Sequence, residues 1–129
     1  MIDHMTLRVA DFETSKRFYL AALAPLGYEL VMEFELPGIG KFCGLGVDKK
    51  PDLWIAPVEE GRPVPRGQHI AFRARKRAEV DAFHSAALAA GGKDDGGPGK
   101  REQYHPNYYG AFAIDPNGVY IEACTHHAE

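Results

Sequence analysis

Residues 2–9 alternate in character, with Met5, Leu7 and Val9 on one side and His4, Thr6 and Arg8 on the other. That period of two predicts a strand with one buried face. Asp11 stands where a helix N-cap belongs, and Phe12, Tyr19, Ala22, Leu23 and Leu26 then fall at helical spacing as far as Gly27. Three strands are predicted over 28–35, 40–47 and 52–56, divided by Pro37-Gly38 and by the Lys49-Lys50-Pro51-Asp52 segment. A Pro-rich stretch from Pro57 to Gly67 follows, and then the order returns. A strand is predicted at 68–75 and a helix at 77–90, with Val80, Phe83, Ala87 and Leu88 apolar and Gly91-Gly92 as its stop. Lys93 to Lys100 is glycine-rich and reads as a loop. Two last strands, at about 107–114 and 119–125, enclose the turn Asp115-Pro116-Asn117-Gly118.

The return is a repeat. His4-Met5-Thr6-Leu7-Arg8 and His69-Ile70-Ala71-Phe72-Arg73 both read His-x-x-(large apolar)-Arg, at an offset of 65 residues. The same offset carries Phe18 onto Phe83, Ala22 onto Ala87, Leu23 onto Leu88 and Gly27 onto Gly92. A fixed period of this kind marks a duplicated unit. The expectation is an α+β fold of paired βαβββ modules with a mostly antiparallel sheet. The modules span about 1–57 and 67–126, the linker is 58–66, and together they make one domain of 129 residues.

Composition narrows the partners. A 14.2 kDa chain that is 45% hydrophobic can bury a core without a disulfide framework. Its net charge of −3, with no basic stripe, argues against nucleic acid. No apolar run approaches the ~20 residues of a membrane helix. The first residues lack the basic and apolar regions of a signal peptide, so a cytoplasmic location is expected, with Cys43 and Cys124 as reduced thiols.

Candidate chemistry comes from the repeat. His4 and His69 open the polar faces of equivalent strands, and Glu122 lies inside the last strand, where a buried carboxylate needs a partner. Two histidines and a carboxylate suit a divalent metal with open positions. Arg8 or Arg73 paired with Glu122 is the plainer alternative. Tyr104-His105-Pro106-Asn107-Tyr108-Tyr109-Gly110 concentrates aromatic faces, hydroxyls and an imidazole before a strand. Tyr104, Tyr108 and Tyr109 suit a small polar substrate, and His105 suits proton transfer; packing over the sheet end is the competing use. Cys124-Thr125-His126-His127 reads as a frayed end, His84 as exposed, and Arg73, Arg75, Lys76 and Arg77 as a solvated corner.

These segments resemble the vicinal oxygen chelate superfamily, which holds glyoxalase I, extradiol dioxygenases, thiol transferases and bleomycin-binding proteins. The resemblance is carried by Ile2 to Asp11 leading into Ser15 to Tyr19, by Gly67 to Phe72, and by Ala113 to Glu122. It implies that the paired modules form a cupped sheet around a divalent metal (Zn, Ni, Mn or Fe) held by His4, His69 and Glu122. It also implies a small-molecule substrate and a homodimer. A fourth ligand of glyoxalase I-like members would fall near Ile55, where Leu53-Trp54-Ile55-Ala56 offers none. Arg8 matches a substrate-carboxylate position. A lyase or isomerase also needs a base near the metal, and the candidates are Glu122, once detached, and the loop residue His105. The implied activity is a glyoxalase-like lyase or isomerase acting on a small oxygen-rich substrate. An extradiol-type ring-cleaving dioxygenase and a non-catalytic binding protein are the alternatives.

Overall fold

The computed structural model describes residues 1–129. The strands are β1 (Met5–Val9), β2 (Glu29–Leu36), β3 (Gly40–Val47), β4 (Lys50–Pro57), β5 (His69–Arg73), β6 (Lys93–Lys100), β7 (Tyr109–Ile114) and β8 (Tyr120–Thr125). The helices are α1 (Phe12–Leu23) and α2 (Arg77–Ala89), and a 3-10 turn at Ala24–Leu26 extends the first. They form two mixed four-stranded sheets of identical order, β1-β4-β3-β2 and β5-β8-β7-β6. In each, the first strand runs parallel to the last and the other pairs are antiparallel. A parallel pair needs a long crossover, and the helix with its following strands supplies it in both halves. The paired βαβββ fold read from the repeat is therefore the observed one. No helix is long and apolar enough to cross a membrane.

Local chemistry explains the elements. The Asp11 side chain accepts from Thr14 N at 2.8 Å and caps α1. Leu7, Val9, Cys43, Leu45, Leu53 and Ile55 turn one face of the first sheet inward, and Ala111, Ala113, Ile121 and Ala123 do so in the second. Phe18 and Phe83, equivalent across the offset, are both buried with Ala22 and Ala87, and all of these residues join one core cluster that spans both halves.

The halves are tied by a polar latch. Asp115, buried in the β7–β8 turn, accepts from Asn117 N and Val119 N and from Tyr19 Oη of α1 at 2.6 Å. Asn117 reaches back to Ser15 Oγ and Ala10 N. The turn predicted at 115–118 thus also grips the first module.

Three expectations are corrected. Residues 93–100 form an edge strand rather than a loop. The strand carries register shifts at Gly96 and needs only backbone donors and acceptors to pair with β7, so side-chain alternation does not reveal it. His84 is buried, not exposed, because its Nε2 meets Asp94 Oδ1 at 2.9 Å and fastens α2 to β6. Cys124 and Thr125 are buried members of β8 rather than a frayed end.

Tyr19→Phe should leave the buried Asp115 carboxylate one donor short. The expected loss is about 1–3 kcal/mol, read as a lower urea midpoint at unchanged slope. An unchanged midpoint would contradict the latch.

Candidate functional site

Each sheet has a helix face and an open face. On the open face of the second sheet, Ala71, Glu122 and Phe112 lie in one cross-strand row. His69, two residues before Ala71, shares that face. Glu122 is only 3% exposed. Its partners are neither Arg8 nor Arg73. His69 Nε2 lies 2.9 Å from Oε2, and Tyr108 Oη donates to Oε1. Both carboxylate oxygens are engaged, which offsets the burial.

Tyr108 reaches this carboxylate because of Gly110. A β-carbon at Gly110 would stand 3.0 Å from Glu122 Oε1 and 3.1 Å from Tyr108 Cε1, so the ring fills the space a side chain would take. Burial, then donation to Glu122 and the nearness of Cys124, holds the Tyr108 hydroxyl above its ordinary pKa, so it stays a donor. Tyr104 stands edge-on to Tyr108 at 5.3 Å, and His126 at 4.8 Å. Sequence reasoning passed over His126 because it follows the last strand; its position two residues beyond Cys124, which shares the face of Glu122, was the available signal.

Other candidates are distributed differently. Tyr109 points to the helix face, where its hydroxyl donates to Asp81 Oδ1 at 2.8 Å and Arg77 lies 5.1 Å over its ring. His105 lies 5.2 Å from His126, and its Nδ1 accepts from Asn107 N. Arg8 Nη1 donates to Pro57 O at 3.1 Å, and the guanidinium lies over Phe42 beside Glu59.

His4 is on the open face of the first sheet, with Nδ1 2.8 Å from Asp3 Oδ1. His4 and His69 line one cavity of about 490 Å3, with Tyr28, Lys50 and Asp52. Asp52 Oδ1 is buried without a hydrogen-bond partner. The cavity does not include Glu122, and no three His, Cys, Asp or Glu side chains meet within one chain to hold a metal ion. The three-ligand set is thus brought together only in part.

The register also fixes the counterpart of Glu122. Ala71 pairs with Glu122, and its equivalent Thr6 pairs with Trp54. The position is therefore Trp54 rather than Ile55, which faces the core. Around it Phe34 stacks on Phe42 at 5.3 Å and lies 5.9 Å from Trp54. The first open face is aromatic where the second is acidic.

The His69–Glu122 pair fits a divalent ion as two of its ligands. Bonds of about 2.0–2.2 Å place neighbouring ligand atoms roughly 2.8–3.1 Å apart at octahedral angles and roughly 3.3–3.6 Å apart at tetrahedral ones, and the 2.9 Å between Nε2 and Oε2 matches the first. With such an ion bound, Tyr108 would be the outer partner that orients the carboxylate.

The chain matches the family model of the Glyoxalase/Bleomycin resistance protein/Dioxygenase superfamily over residues 1–123. It is similar to a crystal structure of a glyoxalase/bleomycin resistance protein from Albidiferax ferrireducens. The identity is 28% and the TM-score 0.77, with 95% of this chain and 96% of that one covered. A glyoxalase/bleomycin resistance protein/dioxygenase family enzyme from Burkholderia phytofirmans shares the fold at 18% identity and TM-score 0.72, over 98% of both chains. A glyoxalase-related enzyme from Fulvimarina pelagi does so at 22% identity and TM-score 0.71, over 97% of this chain and 87% of that one. No curated protein matches the sequence.

Two outcomes follow from this geometry. Gly110→Ala should push Tyr108 off Glu122 while the protein still folds, seen as altered tyrosine absorbance and near-ultraviolet dichroism with unchanged far-ultraviolet dichroism; unaltered tyrosine spectra would refute the close packing. Burial pushes the Cys43 thiol up to about 11 and also raises Cys124. At pH 8 the Cys43 thiolate is then roughly one part in a thousand. Neither thiol should be alkylated by iodoacetamide until denaturant is added, and fast labelling of the native protein would count against that burial.

Proposed function

The chain belongs to the glyoxalase/bleomycin resistance protein/dioxygenase superfamily, and we propose that within it the protein is a metal-dependent, glyoxalase-like lyase or isomerase of a small oxygen-rich substrate. The observation that carries the reading is the buried Glu122, held between a half-exposed imidazole and a tyrosine hydroxyl on an open sheet face. Members of the family commonly use divalent metals. Here His69 and Glu122 are the residues that would hold one. A divalent ion would stabilise negative charge developing on substrate oxygens. Glu122 Oε1, on the lone pair that Tyr108 leaves free, takes a proton from the substrate carbon beside the oxygen and returns it to the neighbouring carbon, while Tyr108 keeps Oε1 in place. Tyr104 stands beside Tyr108, and His105 beside His126.

His4 completes the ligand set from a second copy of the chain. Two observations support that assembly. One chain brings only part of the set together. In addition, β2 exposes Met32, Phe34 and Leu36 in one row, an apolar stripe suited to a partner. Family members often form dimers. A binding role without turnover is the second reading, and Trp54 in the place equivalent to Glu122 favours it.

Elemental analysis and calorimetry with zinc, nickel and cobalt should find one site per chain, weakened at least tenfold by Glu122→Gln and by Tyr108→Phe. A 2-oxoaldehyde–thiol adduct should turn over without O2. Metal binding without turnover would select the binding role, and ring cleavage of a catechol with O2 uptake on ferrous iron would select a dioxygenase. Mixing His4→Ala with His69→Ala chains should restore about a quarter of the sites, because random pairing leaves one intact site in each mixed dimer. No recovery would place the site within one chain.

A further inference from the structure

We propose that Arg101 anchors the anionic end of the substrate, and that the substrate is a carboxylate-bearing molecule with a flat or apolar middle. The proposal rests on the reading of His69 and Glu122 as the reacting centre. Arg101 follows directly on β6 and its side chain lies back across that strand. Nη2 donates to Gly97 O at 2.9 Å, and Nη1 to Lys100 O at 3.1 Å. The guanidinium carbon is 5.5 Å from the centre of the Phe112 ring. Arg101 forms no ion pair with any carboxylate. A guanidinium has five N–H donors, so three remain for a ligand.

The glycines of β6 make room for it. A β-carbon at Gly99 would stand 2.7 Å from Arg101 Nη1, and one at Gly96 3.2 Å from Phe112 Cδ2. The strand is bare where the guanidinium and the ring lie. The cation is therefore oriented by two carbonyls and one aromatic face, leaving it a fixed fork for a carboxylate.

Position ties the fork to the reacting centre. Gly96, Phe112 and Glu122 are register partners across β6, β7 and β8. Arg101 is thus about two strand spacings, roughly 10 Å, from Glu122. The Phe112 ring lies between them, 6.4 Å from the His69 ring. A molecule that spans this row places a carboxylate on Arg101, a planar or apolar body over Phe112 and its oxygens at His69 and Glu122. Arg8, already bonded to Pro57 O and set between Glu59 and Phe42, is the less available of the two arginines.

The test compares 3-(3,4-dihydroxyphenyl)propanoate with its neutral analogue 4-ethylcatechol, by calorimetry on the protein as purified. The acid should bind about tenfold more tightly. Arg101→Leu should erase that preference while the far-ultraviolet dichroism is kept. Gly99→Ala should erase most of it too, since it displaces the guanidinium and leaves the charge. A wild-type protein that binds the two alike, or does not bind the acid, overturns the proposal, as does a preference that survives Arg101→Leu. Glu122→Gln separates the two ideas. If it leaves both affinities unchanged while the acid preference still follows Arg101, the reacting centre is misassigned and the anchor stands.

Discussion

A carboxylate out of water is the constraint around which the second half of this molecule is built. Burying an ionised group costs several kcal/mol unless hydrogen bonds replace its solvent. Glu122 is in β8, between β5 and β7, so partners must come from those neighbours. β5 supplies His69, and the segment before β7 supplies Tyr108. The second arrangement packs this closely because Gly110 has no β-carbon to crowd the ring and the carboxylate. A β5–β8 parallel pair, a glycine in β7 and a tyrosine two residues earlier are thus one requirement seen at three positions.

The first half shows what the scaffold allows when that requirement is lifted. It has the same strand order and the same crossover, but Trp54 stands where Glu122 would. With no carboxylate at that position, this part of its open face becomes an aromatic surface of Phe34, Phe42 and Trp54. The helix faces have not diverged in this way: Phe18 and Phe83 are both buried in the shared core. Close packing restricts substitution inside, whereas the open faces are free to specialise. At the position of Glu122 one face carries a carboxylate, and at its equivalent the other offers the apolar ring of Trp54.

Much of this was legible in the sequence. The 65-residue offset and the alternation of Met5, Leu7 and Val9 yield the duplicated fold, because a half-buried strand and an amphipathic helix leave periodic traces. What left no trace was structure made by backbone alone. β6 has glycines where a strand pattern would need side chains. Side-chain direction was the other gap. Tyr108 and Tyr109 are adjacent and alike, yet strand parity sends one to Glu122 and the other to Asp81. The counterpart of Glu122 is readable in the sequence only as a position near Ile55, and pairing fixes it at the adjacent Trp54, because register is not visible until strands are paired. Of the ligand set, His69 and Glu122 meet in one chain; whether His4 joins them depends on assembly, which no single-chain pattern encodes.

The polar groups of the second open face are held by a hairpin. Arg101 N donates to Tyr108 O at 2.9 Å, closing the segment between β6 and β7, and Tyr104 N and Tyr108 N donate to Arg101 O and His105 O inside it. The two ends of this connection carry the guanidinium and the phenol. Both are therefore fixed to the sheet rather than carried on a free loop. Ordering a long side chain costs binding energy when it occurs on association. Here the carbonyls of Gly97 and Lys100 hold Arg101, and Glu122 does the same for Tyr108. The glycine-rich strand that looks unstructured in sequence is thus the part of the fold that makes this preorganisation possible.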